Sequence, residues 1–212
     1  MTTVKLDSQI LEKDASTITE QLNIQSQQAT ARTLQALFHR SSTQLEPINY
    51  NPPIFSSQSL SIAPSDTDAA PQDVTDYLAK LVRAAQQTAE SHYCGSFVAG
   101  QTSESDEFAD IGVWLGKGSY QRNHEKEILD KLGLSAWTDA EIDRMDGLYD
   151  EKLLSTKLVE GSEASCIGKL LNSLEDCHRF FARRCHDSNF ACFLVGRSEA
   201  GWCGLASIGV AS

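Results

Sequence analysis

Cys94 is the side chain in this sequence that comes nearest to a catalytic nucleophile. It stands in the run Tyr93-Cys94-Gly95-Ser96-Phe97-Val98, and a cysteine followed by small and apolar residues is a pattern that cysteine hydrolases use for nucleophilic attack. His178 or His186 would have to supply the base. No helical pattern clearly follows Cys94, and neither histidine is followed by glycine-rich residues. We therefore expect a buried structural cysteine, no catalytic residue and no enzyme activity, with a Cys/His hydrolase as the alternative.

The acidic segment Ser103-Glu104-Ser105-Asp106-Glu107 offers a different chemistry. An arginine side chain can recognise a carboxylate through two parallel hydrogen bonds, and a carboxylate can replace a phosphate oxygen toward a divalent cation. The segment is therefore a candidate for binding a basic partner. The simpler interpretation is a solvated loop whose Ser and Asp side chains cap turns. Residues 139–151 are also rich in carboxylates, and there a solvated helix face is the simpler interpretation.

The other polar residues form no pattern for a metal or a cofactor. The five histidines are scattered, no two cysteines have the Cys-x-x-Cys spacing, and no glycine-rich phosphate loop is present. The dipeptide Cys177-His178 is repeated as Cys185-His186, but on one helix the two copies would lie about two turns apart, too far for one metal ion. We expect no cofactor and no metal site belonging to the protein itself.

Hydrophobic periodicity indicates the elements that position these residues. Apolar side chains at helical spacing over residues 74–85 predict a helix with Asp73 as its N-cap. The alternation over residues 111–115 predicts a strand. A short helix is expected from Asn123 to Leu132, because Gly133 can end it.

The second half of the chain is expected to contain two more helices and a terminal hairpin. Thr138 and Glu141 have the spacing of a capping box, which predicts a helix to about residue 149. One long helix is expected from about Glu163 through residue 181, with arginines at its C-terminal end. Two strands, 190–196 and 202–210, then form a β-hairpin with Gly201 at a positive φ.

This order of elements predicts an α+β fold. It is an α/β/α sandwich in which helices cover a mixed or antiparallel sheet that ends in a β-hairpin. The domain is expected to span residues 73–212, because all three tryptophans and all six cysteines lie after residue 93. Residues 1–72 are expected to be a partly helical or disordered leader. Amphipathic spacing occurs at residues 11–22 and 34–38, and the proline-containing segment 46–71 indicates an extended linker.

The net charge of −11 restricts the partners. An acidic surface repels nucleic-acid phosphates and anionic lipids, so we expect a basic protein partner, no direct contact with nucleic acid and no membrane association. No apolar run approaches the length of a membrane helix. The first residues show no secretory signal pattern, so a cytoplasmic location is expected.

Two stretches of the sequence resemble the nuclease A inhibitor family. One is the Ser-Glu-Ser-acid segment at residues 103–106, which precedes a strand ending in Trp114-Leu115-Gly116. The other is the terminal hairpin, with Phe193-Leu194-Val195-Gly196, then Ala200-Gly201, then Gly204-Leu205-Ala206-Ser207. The resemblance covers roughly the last 110 to 140 residues.

The resemblance implies a binding module that inhibits a metal-dependent, sugar-non-specific nuclease of DNA and RNA. Glu104 would pair with an arginine of the nuclease's active site, with Ser103, Ser105 and Asp106 beside it. The carboxylate of Ser212 would reach the nuclease's metal ion through water. The alternative within the same fold is an interaction scaffold that has another target.

Overall fold

A mixed sheet of eight strands runs through the described part of the chain. The computed structural model describes residues 3–6, 24–38, 51–100, 107–145 and 163–211. The strands are β1 (Thr3–Lys5), β2 (Ile54–Ser56), β3 (Ser61–Ala63), β4 (Ile111–Gly116), β5 (Glu141–Met145), β6 (Glu175–Arg183), β7 (Asn189–Arg197) and β8 (Trp202–Val210). The helices are α1 (Ile24–Phe38), α2 (Gln72–Ser91), α3 (Glu125–Lys131) and α4 (Glu163–Leu171), with a 3-10 turn at Ser135–Trp137. None of these helices is long and apolar enough to cross a membrane.

The strand order across the sheet is β1-β2-β3-β4-β8-β7-β6-β5. The pair β3–β4 is parallel, with Ile62 opposite Val113, and the other six pairs of neighbours are antiparallel. The sheet is therefore mixed, which is one of the two arrangements that the sequence predicts.

The terminal hairpin of β7 and β8 is the longest pairing in the sheet, and it confirms the prediction. Its register runs from Asn189 opposite Val210 to Arg197 opposite Trp202. Gly201 has a φ of 153° in the turn, and a Cβ at this position would lie 2.6 Å from the carbonyl oxygen of Gly116. The turn therefore requires glycine for its backbone angle and for its close approach to β4.

Helices cover both faces of the sheet. Val74 and Leu78 of α2 pack with Trp114 and Cys203 on one face, where α2 also contacts α4. The indole nitrogen of Trp202 donates to the carbonyl of Gly118, in the segment that leads to α3. Since successive strand residues project to opposite faces, Trp202 and Cys203 contact different layers. This is the expected α/β/α arrangement.

The helix α1 packs into the larger hydrophobic core, which also contains residues of β4, β7 and β8. Leu34 and Leu37 are buried within it, and the carbonyl of Leu37 accepts a hydrogen bond of 2.8 Å from the indole nitrogen of the fully buried Trp137. α1 also contacts β8. The apolar spacing at residues 34–38 thus produces a helix that docks on the sheet.

Residues 54–63 differ from the extended linker that the sequence suggests. β2 and β3 form an antiparallel pair, and β3 joins β4. Phe55 and Ile62 are fully buried, so even short strands in a proline-containing stretch anchor themselves by placing one large apolar side chain each in the core. Independent folding of residues 73–212 stays a prediction.

Two predicted helices are wrong in whole or in part. Residues 141–145 form the strand β5 instead of a helix, because they pair with β6. The helix from Glu163 ends at Leu171, and residues 175–183 form β6 between β5 and β7. Strand pairing thus overrides the capping-box spacing in the first segment and the helical spacing of apolar residues in the second.

Candidate partner-binding site at one end of the sheet

The structure describes the flanks of the predicted contact residues. The contact residues themselves lie outside the described part of the chain: Ser103, Glu104, Ser105, Asp106 and Ser212. β4 and β8 are antiparallel neighbours with Ile111 opposite Ala206. The start of β4 and the end of β8 therefore lie at the same end of the sheet.

Side-chain hydrogen bonds hold the flanks of this end in place. The hydroxyl of Ser207 on β8 donates to the carbonyl of Ala109 over 3.1 Å. The same carbonyl accepts from the hydroxyl of Thr33 on α1 over 2.8 Å, and the amide of Ala109 donates back to Thr33 over 2.9 Å. Arg32 of α1 also pairs with the exposed Glu107 at 3.2 Å. The downstream flank of the acidic segment is thus fixed to both α1 and β8.

Asp110 joins the two flanks of the acidic segment to each other. Its carboxylate accepts hydrogen bonds from the Ser96 hydroxyl (2.7 Å) and from the amides of Phe97 (2.7 Å) and Val98 (3.1 Å). The carbonyl of Val98 accepts from Nη2 of the buried Arg179 on β6 over 2.6 Å. We call these five residues the Asp110 clasp. It thereby joins the described residues on the two sides of segment 101–106.

The carboxyl group of the Asp110 clasp has an unusual acidity. Asp110 is fully buried, and this burial raises its pKa to about 6, although the hydrogen bonds from Ser96, Phe97 and Val98 and the positive charge of Arg179 act in the opposite direction. Removing the carboxylate from water thus outweighs the three hydrogen bonds that stabilise its charge.

A cleft of about 410 Å³ lies beside the clasp, between α1 and α2. Gln86, Glu90, Cys94 and Phe108 are among its lining residues. Tyr93 stands at its edge with 95% of its surface exposed and with a φ of 54°. Exposed aromatic rings next to a depression are typical of residues that anchor a protein partner.

The described surroundings of Cys94 include neither His178 nor His186 among the lining of its cleft. Its thiol donates weakly to the carbonyls of Ala89 (3.5 Å) and Ser96 (3.6 Å), and the described lining of the cleft contains no histidine. Arg179 reaches the segment that follows Cys94, whereas the preceding residue, His178, projects to the opposite face of the sheet. His178 therefore cannot serve Cys94 as a base in this arrangement.

A second buried carboxylate lies on the opposite face. Glu125 is 1% exposed and accepts two hydrogen bonds from Arg144, at 2.8 and 2.9 Å. Burial acts to raise the pKa of Glu125, but the Arg144 hydrogen bonds and that from the Asn123 amide outweigh it and leave the pKa lowered. Nearby, burial lowers the pKa of His178. Within the described residues, no group of His, Cys, Asp and Glu side chains could hold a metal ion.

The sequence interpretation did not identify the clasp. Asp110 and Arg179 are 69 positions apart (179 − 110), and Arg179 was assigned to a helix end. One signal was present: Asp110 directly precedes the apolar strand β4, and an acid that is carried into a core must find hydrogen-bond partners there.

Comparisons with known proteins do not identify a family. No protein-family model matches the chain, and no curated protein matches it either. The resemblance to nuclease A inhibitors therefore depends on the quoted motifs alone.

Proposed function

We propose that this protein is a binding protein that inhibits a metal-dependent, sugar-non-specific nuclease. Glu104, with Ser103, Ser105 and Asp106, would present carboxylates to an arginine of the nuclease's active site. The role of the Ser212 carboxylate stays a prediction from the resemblance. The partner is a basic protein, in keeping with the net charge of −11.

One observation carries this proposal. β4 and β8 are antiparallel neighbours, so the start of β4 and the end of β8 lie at the same end of the sheet; in the sequence the acidic segment precedes the first and Ser212 follows the second. An inhibitor that uses an acidic loop together with its terminal strand needs this proximity, because both must reach one active site.

The construction of this end also supports a binding role. The Asp110 clasp joins the flanks of the acidic segment, and Thr33 and Ser207 hold its downstream flank. A loop held at its base loses less conformational entropy when it binds. The exposed ring of Tyr93 adds apolar contact area in the cleft that Phe108 and Ala109 also line.

The test is an inhibition titration of a purified sugar-non-specific nuclease with this protein and a Glu104→Gln variant. If Glu104 pairs with an active-site arginine, the variant should inhibit roughly 30-fold to several-thousand-fold less well, as expected when one member of an interfacial ion pair is removed. The control is Glu199→Gln, which removes the same charge from the exposed β7–β8 turn at the other end of the sheet.

Equal loss of inhibition in both variants would show that only the net charge matters. Absence of inhibition by the unmodified protein at micromolar concentration would contradict the proposed function. A hydrolase activity that disappears in Cys94→Ala would favour the enzyme alternative instead.

A further inference from the structure

A small cavity lies on the side of β4 away from β8. It is partly open to solvent, has a volume of about 170 Å³ and is lined by residues of β2, β3, the segment 59–70 and the first turn of α2. Most of its wall is apolar, with contributions from Ile54, Ala63, Pro64, Ala70 and Trp114. It is a separate feature from the acidic end of the sheet, so the inference below does not depend on the proposed nuclease inhibition.

Hydroxyl groups without a full set of partners line this cavity. Ser59 and Ser61 are 2% and 6% exposed, and their hydroxyls bond to each other. Only one of the two can donate in this bond, so the other hydroxyl keeps a hydrogen that it can donate elsewhere. The hydroxyl oxygen of Thr67 is also buried and has no hydrogen-bond partner there. Buried polar groups normally have partners, so these hydroxyls keep hydrogen-bonding capacity at the wall of the cavity.

The walls are held close to β4. A Cβ at Gly112 would lie 2.8 Å from the Cβ of Ser61, and a Cβ at Gly116 would lie 2.4 Å from Cγ2 of Thr67. Between these glycines, the indole nitrogen of Trp114 donates to the carbonyl of Asp68 over 3.0 Å. The hydroxyls are therefore fixed in place before anything binds, as in most small-molecule sites.

The electrostatic surroundings exclude charged ligands. No lysine or arginine lines the cavity, and its one ionisable lining residue is the exposed Asp68. Asp66 and Asp73 are near in sequence, so an anion would be repelled. A cation would find no buried carboxylate inside, and burying an unpaired charge is costly.

We propose that this cavity binds a small neutral molecule with a compact apolar body and one hydroxyl or carbonyl group. Its volume is close to the roughly 150 Å³ that accommodates benzene in an engineered protein cavity, so the ligand has about six to ten non-hydrogen atoms. The apolar body contacts Trp114, Ile54 and Ala63, while the polar group bonds to Thr67 and to the Ser59–Ser61 pair.

Phenol is a suitable probe, with benzoate as its charged analogue. At this size a dissociation constant on the order of 1 mM is expected. Phenol at about ten times that concentration should raise the melting temperature of the full chain by about 3–5 °C, and saturation-transfer NMR should detect contact with phenol. Benzoate should do neither. No NMR contact with phenol, or an equal response to benzoate, would overturn the proposal.

Two variants locate the site. Thr67→Val keeps the volume but removes the hydroxyl, and should weaken phenol binding by about 5- to 10-fold. Ala63→Leu fills part of the cavity and should abolish binding. The control is Ser91→Ala, which removes an exposed hydroxyl at the other end of α2, and it should bind phenol as the unmodified protein does. Phenol binding that Ala63→Leu leaves unchanged would place the probe elsewhere and contradict the proposal.

Discussion

Asp110 and Glu125 are both buried carboxylates next to an arginine, yet their acidities move in opposite directions. Glu125 accepts both of its arginine hydrogen bonds directly from Arg144, and its pKa is lowered. Asp110 accepts from a hydroxyl and two amides, while Arg179 bonds to the carbonyl of Val98 instead. Its pKa is raised to about 6.

The comparison shows that the pKa of a buried carboxyl group depends on where the neighbouring arginine lies, and not only on whether one is present. Arg144 is partly exposed, so the pair it forms with Glu125 retains contact with water. Arg179 is 3% exposed and donates to the carbonyl of Val98, so its positive charge acts on Asp110 without a direct hydrogen bond to the carboxylate. Glu125 thus forms an ion pair in which both groups are charged. Asp110 holds the flanks of the acidic segment together, but its buried surroundings oppose the ionisation of its carboxyl group.

The largest expected effect is that of Asp110→Ala. The substitution leaves the Ser96 hydroxyl and two amides buried without an acceptor, so we expect a loss of about 3–5 kcal/mol in the free energy of unfolding. Urea denaturation at neutral pH measures it. Glu107→Ala removes an exposed carboxylate three positions earlier and should change stability by only about 0.5 kcal/mol. A similar small value for Asp110→Ala would contradict the clasp.

The pH dependence of stability separates the two carboxylates. The pKa of Asp110 is raised from 3.8 to about 6 on folding, so the folded state binds more protons between these values. Its contribution to stability is fully present below pH 3.8 and is lost as the pH rises through about 6, amounting to about 3 kcal/mol. Unfolding curves at pH 4 to 7 should show this loss in the unmodified protein. A parallel profile for Asp110→Asn would contradict the assignment.

Glu125→Gln should have the next largest effect. The amide keeps the size of the side chain but loses the charge-assisted pair with Arg144, so a loss of about 1–3 kcal/mol at neutral pH is expected. Because the pKa of Glu125 is lowered from 4.5 on folding, its contribution is present above that value and is lost as the pH falls. Glu127→Gln on the same helix removes an exposed carboxylate and is the matched control. Equal losses of unfolding free energy in the two variants would contradict the claim that the buried pair is the more stabilising one.

The smallest effect is expected for Asp143→Asn. Asp143 pairs with Arg183 at 3.1 Å across β5 and β6, and both side chains are exposed. A solvated pair of this kind contributes about 0.2–1 kcal/mol, and the contribution should decrease further in high salt. A loss of unfolding free energy as large as that for Glu125→Gln would show that the exposure of an ion pair does not predict its contribution to stability. Denaturation at low and high ionic strength tests this.

Local patterns in the sequence predicted a large part of the fold. The β7–β8 hairpin has a turn with Gly201 between two apolar runs, and α2 has one apolar face. The alternation in β4 and the stop at Gly133, which has a φ of 67°, were also visible. Each of these signals depends on neighbouring residues, so no knowledge of the distant chain was needed.

The remaining elements depend on contacts between distant residues. Phe180 stacks on Phe193 at 5.0 Å, and this packing makes β6 a strand although the preceding apolar residues have helical spacing. The short strand β3 is set by its pairing with β4, which nothing in its own three residues indicates. The Asp110 clasp likewise needs Arg179 from another element. Patterns among neighbouring residues in the sequence do not indicate such pairings.

The parallel pairing of β3 with β4 has a consequence for the order of folding. Ser61 and Gly112 face each other across roughly 50 residues of chain, whereas β6, β7 and β8 follow one another through short turns. Bringing distant segments together costs chain entropy before any contact forms, so pairings between distant strands form slowly. We expect the β6–β8 meander to form first, with β3, and with it β2 and β1, added last. In pulsed hydrogen exchange, amides of β7 and β8 should become protected before those of β3.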